Sequence, residues 1–87
     1  MNLLDRMLVH RRWKALCEWN VEYHTRLHAW FRARLGSPEE KRQYRRLHAA
    51  YKPLVRLASK LGMSEAAATL PLGSSPCPPT PNWILTR

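Results

Sequence analysis

The sequence predicts an all-α fold: two long helices folded into a hairpin, a short third helix and an extended proline-rich C-terminal tail. Three observations predict it. Apolar residues recur at alternating spacings of four and three over residues 3–35, and again from Tyr44 to Leu61. Between the two runs, Leu35-Gly36-Ser37-Pro38-Glu39-Glu40 carries a helix stop and a helix start side by side. Beyond residue 70 the periodicity disappears, and five of the seven prolines follow.

The first helix is read from Val9, Trp13, Leu16, Asn20, Tyr23, Leu27 and Trp30, which form one stripe widened by Leu8, Trp19 and Phe31. Neither Pro nor Gly interrupts it. At 1.5 Å per residue the helix would be about 50 Å long. A lone helix of that length cannot bury its own stripe, so a second helix or a neighbouring chain must cover it. Asn20 sits in the stripe itself. A lone polar residue there either fixes the register between helices or leaves a packing defect.

At the junction, Gly36 is a helix-ending residue and Ser37 a helix N-cap. Pro38 suits the first helical position, and Glu40, three residues after Ser37, sits where a capping-box acid belongs. The second helix then carries its seam on Tyr44, Leu47, Tyr51, Leu54, Ala58 and Leu61, flanked by Val55 and Leu57. Gly62 supplies its stop. Pro53 lies inside it, where it removes one backbone donor and crowds the carbonyl of Ala49. That predicts a kink near residues 49–53 or a break into two helices. Ser64 caps a short third helix over residues 65–70, ended by Pro71.

Residues 71–87 read as extended chain, with Pro76-Cys77-Pro78-Pro79-Thr80-Pro81 at their centre and Trp83-Ile84-Leu85 as a small apolar anchor. The PxxP pattern in this stretch is common in proline-rich tails, and threading along another subunit explains it better than a dedicated reader. The chain thus divides into a basic helical hairpin, residues 1–70, and a tail expected to stay out of its core. About 70 residues of hairpin supply only ~3–5 kcal/mol from a single core, so partner subunits of a larger complex are expected. Cys17 and Cys77 form no disulfide framework and read as reduced thiols, which fits a cytosolic, nuclear or mitochondrial-matrix setting.

No apolar run reaches the ~20 residues that span a bilayer. Arg6, Arg11 and Arg12 rule out a secretory signal. The arginine-rich, amphipathic start resembles a mitochondrial transit segment in charge, but it is poor in serine and carries Asp5. The expectation is a chain from which no leader has been cut.

Fifteen Lys and Arg against six acids give a formal charge of +9, which suits a polyanionic partner: nucleic acid, an acidic protein or an anionic membrane surface. The charge is also sorted by face. Lys41, Arg42, Arg45, Arg46, Lys52, Arg56 and Lys60 all project away from the second seam, in a band of roughly 140° at 100° per residue. No acid interrupts that band; Glu39 and Glu40 stand only at the N-terminus, where the helix dipole favours them. Ordinary solvated faces mix signs, so this one is read as a nucleic-acid-binding face whose arginines can make forked contacts to phosphate. Arg11, Arg12, Lys14, Arg26, Arg32 and Arg34 on the first helix are less segregated, and Glu18 and Glu22 can pair with Lys14 and Arg26.

Trp13, Trp19, Tyr23, Trp30, Tyr44, Tyr51 and Trp83 are the candidate interface residues, as core or subunit anchors. His10, Cys17, His24 and His28 lie along one side of the first helix. No second cluster completes a tetrahedral set around His24 and His28, so no metal is expected, and the imidazoles read as a polar flank able to stack on or hydrogen-bond to RNA. A glycine-rich phosphate loop, a nucleophile elbow and paired acids are all missing, so neither an enzymatic activity nor a cofactor is expected.

The stretch Leu54-Val55-Arg56-Leu57-Ala58-Ser59-Lys60-Leu61-Gly62-Met63-Ser64-Glu65-Ala66-Ala67 is similar to the closing stretch of some phage small terminase subunits. Those join a helix, a Leu-Gly-hydrophobic turn and a small-residue segment. The chain lacks the proline usual after the Thr/Ser of that turn and the arginine that follows. The resemblance implies DNA packaging as one alternative.

The functional expectation is a non-catalytic structural subunit of a large assembly. An RNA-contacting ribonucleoprotein component such as a mitochondrial ribosomal protein, in the matrix, fits best. The alternatives are an accessory subunit of a mitochondrial respiratory or ATP-synthase complex and a small-terminase-like DNA-binding subunit.

Overall fold

The computed structural model describes residues 2–72 and 78–85, and in it the two periodic runs are two long helices, α1 (Leu3–Arg32) and α2 (Pro38–Leu61). Two short helices follow, α3 (Glu65–Thr69) and α4 (Asn82–Leu85). Among the described residues there is no strand. The hairpin is antiparallel: Leu16 and Cys17 of the first half of α1 pack with Leu54, Ala58 and Leu61 near the end of α2. The molecule is correspondingly long and thin, 51 × 21 × 18 Å.

Local capping chemistry sets the starts of α1, α2 and α3 and the end of α2. Asn2 Oδ1 accepts from the Asp5 N–H at 2.8 Å and starts α1. The helix ends at Arg32, three residues short of Leu35, and Ala33 beyond it is extended. Gly36 therefore acts in the turn that follows. It has a φ of 79°, and the Ser37 N–H donates to the Arg34 carbonyl at 3.1 Å across it. Positive φ at the third position of a four-residue turn is a conformation that glycine adopts without strain. Ser37 then caps α2, its Oγ accepting from the Glu40 N–H at 3.1 Å. The reciprocal half of the capping box does not form, because the Ser37 N–H is already engaged by Arg34.

α2 runs through Pro53 as one helix and does not break into two. It ends in a full Schellman arrangement. Gly62 is left-handed at φ 71°, its N–H reaches the Ser59 carbonyl at 3.1 Å, and the Met63 N–H reaches the Ala58 carbonyl at 2.8 Å. Met63 packs onto the core, as a residue in that place commonly does. Ser64 Oγ accepts from the Ala67 N–H at 3.1 Å and starts α3, which Tyr51 braces through a 2.7 Å hydrogen bond from its hydroxyl to Glu65 Oε2.

The tail departs from the expectation that it stays out of the core. Ile84 is 2% exposed and belongs to the same buried cluster as Trp13, Leu16, Leu54 and Leu61, with Leu72 packed against it. The end of the tail is also helical rather than extended, over Asn82–Leu85. The reason lies in α1, whose polar side chains hold the returning chain. His10 Nδ1 meets Thr80 Oγ1 at 2.6 Å, and Trp13 Nε1 donates to the Pro78 carbonyl at 2.8 Å. Cys77 and the start of the proline run lie outside the described residues.

Asn20 is neither a packing defect nor a register pin between the long helices. Its Nδ2 donates to the carbonyls of Ala68 and Leu70, each at 2.8 Å, and its Oδ1 accepts from the Leu72 N–H at 3.3 Å. One turn further along α1, His24 Nε2 donates to the intervening Thr69 carbonyl at 2.9 Å. The closing carbonyls of a helix have no partners of their own; here two side chains of α1 supply them.

Two outcomes follow for stability. Asn20→Ala strands three backbone groups beside a buried position and should cost roughly 2–4 kcal/mol, comparable with everything a core of this size supplies. Thermal unfolding followed by circular dichroism should lose cooperativity, and amide exchange over residues 65–72 should accelerate first. Gly36→Ala meets no atom within 4 Å, so only backbone strain opposes it. It should cost about 1 kcal/mol and lower the melting temperature by roughly 4–8 °C; an unchanged melting temperature would contradict the turn geometry.

Candidate nucleic-acid interface

The seven cations of α2 occupy the places that the helical period gave them. Leu47, Ala50, Leu54, Ala58 and Leu61 face α1 and are buried. Lys41, Arg42, Arg45, Arg46, Lys52, Arg56 and Lys60 lie on the opposite side and all are exposed. Only Arg42 among them makes an ion pair with a described acid, to Glu39 Oε2 at 2.9 Å, with both side chains largely in solvent. Such a pair is weak and easily exchanged.

The first helix contributes less to a cationic surface than its composition suggests. Arg26 binds Glu22 at 2.8 Å, and its Nη1 also donates to the backbone carbonyl of Arg46 at 2.7 Å. That guanidinium therefore ties α1 to the back of α2 and is more than half of a surface pair. The expected Lys14–Glu18 pair does not form. Nor do the imidazoles make a flank that is uniformly available to RNA, since His10 and His24 are engaged with the tail and with α3. Among the described residues no group of three or more His, Cys, Asp and Glu side chains is placed to hold a metal ion. No described helix is long and apolar enough to cross a membrane.

The aromatic residues separate into two sets. Trp13 is buried, and Trp19 and Tyr23 pack against the core, so these three serve the interior. The others continue into a ladder that climbs one edge of the hairpin. Phe31 lies against Trp30 (ring centroids 5.1 Å apart), Trp30 against Tyr44 (6.1 Å), Tyr44 against His48 (5.6 Å), and His48 against Tyr51 (6.0 Å). Tyr51 then meets Tyr23 at 6.0 Å. Tyr44, His48 and Tyr51 stand at spacings of four and three, hence on one side of α2. The exposed end of the ladder is nearest the hairpin turn, where Phe31 is 68% and Tyr44 48% exposed. Phe31 therefore does not extend the buried stripe. Trp83 is half-exposed, and its neighbour Ile84 is the buried anchor of the tail.

At that end a cleft of ≈ 380 Å³ is lined by Trp30, Glu40, Lys41, Tyr44 and Arg45. The Trp30 indole N–H is buried and has no acceptor among the described residues. A second cleft, of ≈ 490 Å³, is lined by Glu18, Trp19, Glu22 and Arg26 and has no comparable excess of positive charge. A separate apolar patch, formed by Leu3, Leu4, Met7 and Leu8, is exposed at the free end of α1 beside Arg6 and Arg11.

No family model, curated protein or solved structure matches the chain.

Tyr51 gives the site a pH signature. Its hydroxyl donates to Glu65, and that bond, with burial and the Glu65 charge, raises its pKa above the usual 10.0. A raised pKa means that the folded state holds the proton more tightly than the unfolded one. The contribution is whole below about pH 10 and disappears as pH climbs through the folded value. Tyr51→Phe should therefore cost under about 1 kcal/mol at neutral pH and flatten the fall in stability above pH 10. Urea titrations of both proteins between pH 8 and 11.5 check this; parallel curves would remove Tyr51 from the account.

Proposed function

We propose that the protein is a non-catalytic structural subunit of a large ribonucleoprotein assembly, with the exposed face of α2 seated on RNA phosphates. The matrix of the mitochondrion, and a ribosome there, accommodate such a subunit best. The observation that carries the reading is the α2 face itself: seven exposed cations on the side away from the core, six of them without a described acidic partner. Packing does not require them, since none is buried. Clustering them costs self-repulsion that a phosphate backbone would relieve by accepting the charges and releasing counterions. The exposed Leu3, Leu4, Met7 and Leu8 supply a separate apolar patch for a neighbouring subunit.

That same patch favours a second reading. Apolar side chains interspersed with arginines also suit the surface of an anionic membrane or a subunit at its edge, as in an accessory subunit of a respiratory or ATP-synthase complex. Duplex DNA, the ligand of a packaging subunit, would use the α2 face in the same electrostatic way.

Affinity for RNA, duplex DNA and anionic vesicles across a salt series separates these readings. RNA should be preferred, with log K falling against log salt at a slope of about −3 to −5 for four to seven contacts to a single strand. Replacing Arg45, Arg46, Arg56 and Lys60 together with Glu should abolish RNA binding and leave the helical circular dichroism intact. Retention of RNA binding by that variant would end the phosphate reading, and tighter binding to vesicles than to RNA would favour the membrane.

A further inference from the structure

We infer that the cleft at the turn end of the hairpin takes an unpaired nucleotide, so that the RNA engaged by α2 is single-stranded at that point. The inference rests on the phosphate reading of the α2 face and specifies what kind of strand that face accepts.

The cleft joins three chemistries that a uniform basic patch lacks. Trp30 and Tyr44 offer ring surface, and Tyr44 is half-exposed and continuous with the exposed ring of Phe31. Lys41 and Arg45 stand in the same cleft, are exposed, and pair with no described acid. Glu40 completes the lining with a carboxylate. A phosphate is repelled by Glu40 and attracted by Lys41 and Arg45, so the sugar–phosphate strand belongs on the outer, cationic side. That orientation turns its base inward, onto the Trp30 and Tyr44 rings. The carboxylate can only accept hydrogen bonds, and nucleobases carry N–H donors along their pairing edge.

A paired base cannot meet these terms. In duplex RNA the ring faces are stacked and the pairing edges are occupied, and proteins read it mainly by backbone and shape. An unpaired base offers its face to an aromatic side chain and its edge to a polar one, while its phosphates remain available to cations. The separation of the two functions along α2 follows from helix periodicity. Tyr44 and His48 lie to one side of the band that holds Lys41, Arg45 and Lys52, so a strand following the cations passes the rings at each turn.

The test uses the full chain and two probes, a ten-nucleotide single-stranded RNA of mixed sequence and a blunt RNA duplex carrying the same number of phosphates. The single strand should bind tighter. It should quench tryptophan fluorescence, and Trp30→Phe should remove most of that quench. Tyr44→Ala should weaken single-strand binding about tenfold and leave duplex binding unchanged, and Tyr44→Phe should restore it. Equal loss for both probes with Tyr44→Ala, or equal affinity of the native chain for both, would overturn the inference and leave the phosphate reading standing. Binding to neither probe at low salt would remove both.

Discussion

The fold depends on the way α1 finishes a helix that is not its own neighbour in sequence. α3 is five residues long, too short to hold its shape on intrinsic preference. Its closing carbonyls would face a largely apolar interior with no partners. Asn20 and His24 donate to three consecutive carbonyls there, and Asn20 also accepts from the chain as it leaves. That contact sets where residues 68–72 lie on α1. The same helix, through Trp13 and His10, receives the tail further along. Two helices packed along a single seam leave the sides of that seam open. α3 and Ile84 close one of these, and the core cluster draws on all four helices as a result.

Closing the core from the α1 side leaves the cationic side chains on the back of α2 without a packing role. This separates the two helices by role. Five polar side chains of α1 serve the fold: Asn20, His24, Trp13 and His10 bond to α3 or the tail, and Arg26 bonds to the α2 backbone. Those of α2 point outward, and most of the cations have no described partner. A helix with seven cations on one face carries repulsion that acids at i+3 or i+4 would normally offset. Here the acids are drawn to the first turn, where Glu39 and Glu40 meet the positive end of the helix dipole. The arrangement stabilises the start of α2 and leaves its length positive.

Local signals were legible in the sequence and long-range ones were not. Ser37, Gly62 and Ser64 each act within four residues of their partners, and each sits where a capping residue was expected. The α2 face was legible for the same reason, because angular position on a helix depends on spacing alone. The first helix was placed too long by its final residues. Apolar period continues to Leu35, but the backbone becomes extended at Ala33 and then enters the turn closed by the Ser37 N–H on the Arg34 carbonyl. Asn20 resisted reading because its three partners lie 48 to 52 residues away. The tail's return to the core was hidden by its composition. Closely spaced prolines disfavour regular helix and sheet, but they do not prevent a chain from lying along a surface that offers donors to its carbonyls. Trp13 offers one to Pro78. The aromatic ladder fell between these cases: its spacing on α2 could be read, but its alternation with Trp30 and Tyr23 across the seam could not.

The ladder also bears on how binding at one end could be felt at the other. Rings in contact transmit displacement because neither partner can move far without opening a gap. Tyr44 at the exposed end touches Trp30 and His48, and His48 touches Tyr51. Tyr51 holds Glu65 in the first turn of α3, the helix that Asn20 and His24 fasten at its other end. A base that displaced Tyr44 would thus press on a continuous set of contacts ending at α3. The weakest link is the exposed Tyr51–Glu65 bond, since Asn20 and His24 together fasten α3 far more firmly. Any strain from an occupied cleft should therefore be released there before it reaches the core.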